Sequence, residues 1–167
     1  MSEGDALKFE RIDEPALAEL AARLAPMLAV GGVVFLIGDL GAGKTTFARA
    51  LLGALGVGSR IKSPTYSLIE SYLAGELAIH HLDLYRIADA GELEWLGLAD
   101  LTVGPHLLLV EWPEHAGQAL PQPDLILRLA HAPASRDVVL EASTPRAALW
   151  LRELRHDGQP TTARLST

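Results

Sequence analysis

The sequence predicts a three-layer α/β fold with a mainly parallel central sheet and antiparallel additions. Three observations predict it. Val33-Val34-Phe35-Leu36-Ile37 is apolar at every position, as expected of a strand covered on both faces. It leads directly into Gly38-Asp39-Leu40-Gly41-Ala42-Gly43-Lys44-Thr45, and that loop leads into a helical pattern of Phe47, Ala48, Leu51, Leu52 and Leu55. A second apolar run, His106 to Val110, ends in a lone acid, Glu111. The two buried strands are expected to lie adjacent or one strand apart, with both C-terminal ends at the same site.

The remaining elements follow in order. Leu7 and Phe9 alternate with polar residues and predict a short first strand. Asp13 reads as an N-cap with Pro15 in the first turn, opening a helix to about Leu28 with Leu17, Leu20, Leu24 and Leu28 on one stripe. Gly31-Gly32 closes that element, and Gly56 stops the helix after the glycine-rich loop. Ser63-Pro64 forces extended backbone, so Ile61 to Tyr66 reads as a shaped loop. Ser67 to Leu73 and Leu77 to Leu82 predict a hairpin turning at Ala74-Gly75-Glu76. Asp89 to Leu96 predicts one short helix. Leu125 to Leu129 and Val138 to Leu140 predict the last strands, and Thr144 opens a final helix through about Leu154.

The chain has 167 residues and 49% apolar composition, enough for one domain with a full core. That domain is placed at residues 1–155, with 156–167 as a frayed polar tail. There are no cysteines, which excludes disulfides, thiol nucleophiles and Cys-based zinc sites and suits the cytoplasm. No signal peptide or membrane-length apolar run is evident. The net charge is −7, and the only lysines are Lys8, Lys44 and Lys62, so any contact with RNA is expected through a partner.

Gly38, Gly43, Lys44 and Thr45 fill every fixed position of G-x-x-x-x-G-K-[ST], the P-loop pattern. Glycines permit positive φ, so that successive N–H groups converge on phosphate oxygens. The helix starting near Lys44 aims its positive dipole end at the same anion. In such a loop the lysine reaches the β- and γ-phosphates and the threonine hydroxyl ligates Mg2+. The alternative, a coincidental glycine-rich turn with a surface lysine, does not explain the strand before it or the helix after it. The fold is therefore expected to be of the P-loop NTPase kind, binding ATP and Mg2+.

A P-loop enzyme needs a carboxylate at a neighbouring strand end. Asp83, after Leu77-Ala78-Ile79-His80-His81-Leu82, and Glu111 both qualify. A structural alternative for Asp83 is an N-cap or an ion pair with Arg86. Adjacent histidines in a strand face opposite ways, so His80 and His81 predict no shared metal site; one belongs to the core or lies behind the site. Trp95, Trp112 and Trp150 read as packing residues, Trp112 gaining interest by adjoining Glu111.

Four motifs in this order resemble the TsaE family, formerly YjeE. They are Gly38 to Phe47, then Lys62-Ser63-Pro64-Thr65-Tyr66, His81-Leu82-Asp83-Leu84-Tyr85-Arg86 and Val110-Glu111-Trp112-Pro113, within a resemblance running from about Ile12 to Arg136. The resemblance implies an ATPase of tRNA threonylcarbamoyladenosine synthesis that acts with a TsaB–TsaD pair and meets tRNA only through it. It implies that Gly41, Ala42, Gly43, Lys44, Thr45 and Thr46 wrap the phosphates. Thr45 and Glu111 would hold Mg2+, with Asp83 near the metal or its waters, and Thr65 would sense the γ-phosphate. Glu14 and Trp112 would lie near the nucleotide, as would Arg136, a late arginine of the family. From Ala130 onward the chain departs from the family's pattern.

Rival readings are tested by residues. A GTPase would use Asn-Lys-x-Asp and Asp-x-x-Gly; the chain has no asparagine and lacks the second motif. A small-molecule kinase needs an arginine-bearing lid, and Arg60 and Arg86 form no contiguous one. A nucleotide-controlled binding module differs only in turnover. No arginine follows the P-loop closely enough to predict a cis finger, and Arg49 lies on the far side of the first helical turn, so slow hydrolysis raised by partners is expected.

Overall fold

The computed structural model describes residues 6–58, 61–64 and 67–156. Seven strands form one sheet: β1 (Ala6–Ile12), β2 (Gly32–Ile37), β3 (Ile69–Ala74), β4 (Leu77–Asp83), β5 (His106–Glu111), β6 (Leu125–Ala132) and β7 (Ser135–Ala142). Their spatial order is β1-β7-β6-β2-β5-β4-β3. The central β6, β2, β5 and β4 run parallel, while β3 at one edge and the β7–β1 pair at the other are antiparallel. This is the predicted fold class. The two buried strands are direct neighbours, with Phe35 opposite Val110 and Leu36 opposite Glu111.

Residue alternation divides the core in two. Val34, Leu36, Ile79, Leu107, Leu109, Leu125 and Leu127 face one layer, where α1 (Glu14–Leu28), α2 (Lys44–Ala54) and α5 (Pro145–His156) pack. Val33, Leu82, Leu108 and Val110 face the other, covered by α3 (Gly91–Trp95), α4 (Leu98–Leu101) and a 3-10 turn at Pro113–Ala116. Asp13 caps α1 as expected, its Oδ1 accepting the Ala16 N–H at 2.9 Å.

Several boundaries differ from expectation for local reasons. β3 starts at Ile69, because Leu68 takes a left-handed φ of 60°. The helix expected over Asp89 to Leu96 is the shorter α3, Gly91–Trp95, and beyond Gly97, with φ 69°, α4 adds a further turn of helix that was not expected. The last two strands are longer than predicted and form a tight hairpin, with Ala132 opposite Ser135. Trp95, read as a packing residue, is 92% exposed, whereas Trp150 is buried. Of residues 156–167, read as a frayed tail, His156 instead ends α5 and 157–167 lie outside the described residues.

Candidate nucleotide site

The loop from Gly38 to Gly43 leaves the C-terminal end of β2 and delivers the chain to α2. Gly43 has φ 109°, which demands glycine, and a Cβ there would stand 2.1 Å from Arg136 Nη1 and displace that guanidinium. Gly38 is held as closely: a Cβ would lie 2.5 Å from the Leu129 carbonyl oxygen. The β6–β7 hairpin thus backs the loop. His131 adds to this, its Nε2 donating to the Leu40 carbonyl at 3.1 Å.

Lys44 folds back across the loop. Its ammonium donates to the Asp39 carbonyl at 2.8 Å and to that of Gly38, and stands 4.4 Å from the Trp112 ring centroid. An ammonium has three donors, so two carbonyls fix its direction and leave one for an anion in the cleft. Burial pushes the Lys44 pKa down, while Glu111, Asp83, Glu114 and Asp39 act to hold the charge. Trp112 takes a left-handed φ of 57° immediately after β5. That turn sets its ring against Lys44 and within 5.0 Å of Tyr85 and 5.3 Å of His115.

Glu111 is 2% exposed and satisfied on both sides. Its Oε1 accepts the Thr45 hydroxyl at 2.8 Å, and its Oε2 accepts from His81 Nε2 at 2.7 Å. Asp83 stands beside Glu111 in the β4–β5 register, and its Oδ1 accepts the Tyr85 N–H at 3.0 Å. Burial raises the Asp83 pKa; the Tyr85 N–H opposes this, Glu111 adds to it, and His81 and Lys44 oppose it.

These groups share one cleft of about 360 Å³, lined by Gly41, Gly43, Lys44, Thr45, Thr46, Leu68, Asp83, Tyr85, Arg86, Glu111, Trp112 and Arg136, with Leu40 at its edge. Ala42 is buried beneath the loop. Glu14, the first residue of α1, is exposed and is not part of this lining. It stands two residues after Ile12, which pairs with Arg136, so the start of α1 lies at this end of the sheet. Thr65 lies outside the described residues.

Arg136 lines the cleft, where the resemblance expected it, and Arg86 lines it too, although no arginine follows the P-loop closely enough in the sequence to predict a cis finger. β7 brings Arg136 back over Gly43 from almost a hundred residues away. His81 was left between two roles, but the register decides. It shares the face of Ile79 and Leu109 and reaches Glu111, while His80 points the other way and meets Ser71 Oγ at 2.8 Å. His131 carried no sequence signal.

The model of the threonylcarbamoyl adenosine biosynthesis protein TsaE matches residues 12–138. The chain belongs to the TsaE family. Among TsaE relatives, the Haemophilus influenzae tRNA threonylcarbamoyladenosine biosynthesis protein TsaE is 42% identical over 113 residues, covering 67% of this chain and 71% of its own. The Bacillus subtilis TsaE of the same description is 35% identical over 153 residues, covering 90% and 96%. A crystal structure of Bacillus subtilis YdiB superposes with a TM-score of 0.72 at 31% identity, covering 92% of this chain and 97% of that one. The likeness therefore continues past the stretch that the TsaE model matches, into the segment where the sequence departs from the family's pattern. Among the described residues, no helix is long and apolar enough to cross a membrane.

Proposed function

We propose that this chain is the Mg2+-dependent ATPase component of bacterial tRNA threonylcarbamoyladenosine synthesis, acting in the cytoplasm with a TsaB–TsaD heterodimer. The observation that carries the reading is the convergence of Lys44, Thr45, Asp83 and Glu111 on one cleft at the ends of β2, β4 and β5, in a chain whose family is named for that synthesis. The donor set suits the group, since a hydroxyl and two carboxylates are the hard oxygen ligands that Mg2+ takes.

Thr45 and Glu111 would hold the ion, with Asp83 oriented by the Tyr85 N–H toward the ion or its waters. Bound Mg2+ supplies a Lewis acid that draws charge from the phosphate oxygens. Gly41 and Gly43 to Thr46 would present backbone N–H groups, and α2 its dipole, to the phosphates, while the Ala42 N–H is held by the Asp39 carbonyl at 3.0 Å. Lys44 is pre-aimed by two carbonyls, so little reorganisation is needed when charge builds on the transferring group. Glu14 and Trp112 would border the nucleoside end, and Arg86 and Arg136 add positive charge to the lining. With two arginines already present, the partner's contribution would be to bring Thr65 against the γ-phosphate, and not to supply a missing cation.

The net charge of −7 favours docking by shape and specific pairs, with tRNA reached through the partners. The test is phosphate release from Mg-ATP by this protein alone, with tRNA alone, and with TsaB–TsaD. Slow release that rises only with the partners is expected. Activation by tRNA alone, or rapid release unaffected by partners, would contradict the reading.

A further inference from the structure

Glu111 has three side-chain torsions, yet its carboxylate is held at both oxygens. Thr45, on α2, takes Oε1 at 2.8 Å, and His81, on β4, takes Oε2 at 2.7 Å. The three groups form a chain across two strands and a helix, and the two at its inner end are almost wholly covered: His81 is 0% and Glu111 2% exposed. His81 Nδ1 has no partner among the described residues, so the ring's hydrogen bonding is spent on Glu111 alone. The other histidine of the pair faces the opposite way, where His80 joins Ser71 of β3, and makes no contact with Glu111.

We propose that His81 is a positioning residue, which by tying Oε2 turns Oε1 toward Thr45 and so sets how tightly the Thr45–Glu111 pair binds a divalent cation. Outer hydrogen bonds to a ligating carboxylate fix its orientation, and their loss typically lowers metal affinity by about 10- to 100-fold. The assignment rests on the Mg-ATP reading above.

The test uses the full-length protein with Mn2+ as the probe ion, following free Mn2+ by electron paramagnetic resonance in the presence of ADP, and measuring ADP affinity separately in chelator. His81→Leu removes the donor. His81→Gln places an amide N–H near the position of Nε2, whereas His81→Asn places it out of reach of Glu111. The expected result is Mn2+ affinity about 10- to 100-fold weaker in His81→Leu and His81→Asn, with metal-free ADP affinity within about twofold of the parent, and recovery in His81→Gln. If His81→Leu does not fold, the contrast between Gln and Asn carries the same test. Equal Mn2+ affinity in all variants, or a parallel loss of metal-free ADP binding, would overturn the assignment while leaving the nucleotide reading intact. A parent protein that binds no Mn2+ with ADP would overturn both.

Discussion

The Thr45 hydroxyl donates to Glu111 Oε1 at 2.8 Å, joining the first turn of α2 to the last residue of β5. Sixty-six residues separate the two in the chain, and the parallel pairing of β2 with β5 brings them together. Thr45→Ala and Glu111→Gln should each weaken the Mg2+ dependence of nucleotide binding before they weaken binding of the metal-free nucleotide. Titration of ADP with and without Mg2+ checks this. Variants that respond to Mg2+ as the parent does would remove both residues from the metal site.

Gly43→Ala should damage the site twice over. Its φ of 109° is strained for any residue with a Cβ, at a cost of roughly 1–2 kcal/mol, and the methyl would displace the Arg136 guanidinium. A lower Tm together with weakened nucleotide binding is expected. A variant with parental Tm and affinity would show that the loop can relax.

Asp83→Asn should raise the stability of the nucleotide-free protein while lowering activity. Burial raises the Asp83 pKa above its ordinary 3.8, so the folded state holds this proton more tightly than the unfolded chain. By linkage, stability falls as pH rises from near 3.8 through the elevated folded value, and the full penalty remains above it. Asparagine keeps an oxygen for the Tyr85 N–H and carries no such penalty. Melting curves in chelator should show variant and parent converging in acid, with the variant ahead at neutral pH. A variant less stable at neutral pH would contradict the sign.

Asp124 tests stability apart from the site. Its Oδ2 accepts the Val33 N–H and Arg146 Nη2, both at 2.9 Å, and its Oδ1 accepts the Thr144 hydroxyl at 2.9 Å, pinning β2, β6 and the start of α5. Asp124→Ala leaves a buried N–H unpaired and should cost about 2–4 kcal/mol, seen in chemical denaturation. Nucleotide affinity below the unfolding transition should not change.

The central strands, the P-loop and its helix were legible because each depends on local pattern: unbroken apolar runs, glycines at fixed spacing, and a 3.6-residue stripe. Lys44, Thr45, Asp83 and Glu111 were legible because they stand at strand ends or loop positions where the chemistry needs them. Arg136 could be placed only by resemblance, since nothing local marks it; the β1–β7–β6 edge turns it onto Gly43. His131 and His81 act through contacts with Leu40 and Glu111 that lie far away in the chain. The turn of helix beyond Gly97 was missed because the four residues of α4 are too few to show a helical stripe.

On the proposed reading, Lys44 binds the phosphates of Mg-ATP in this cleft. Two carbonyls aim its ammonium, and the Trp112 ring 4.4 Å away should report nucleotide arrival by a change in fluorescence. Calorimetric titration of Mg-ATP into the parent and into Lys44→Ala tests this most directly. Removing a charge-assisted phosphate contact is expected to cost about 2–3 kcal/mol, roughly a 30- to 150-fold loss of affinity, with the fold preserved by far-ultraviolet circular dichroism. Parental affinity in a folded Lys44→Ala variant, or no binding of Mg-ATP by the parent, would rule out this role for Lys44.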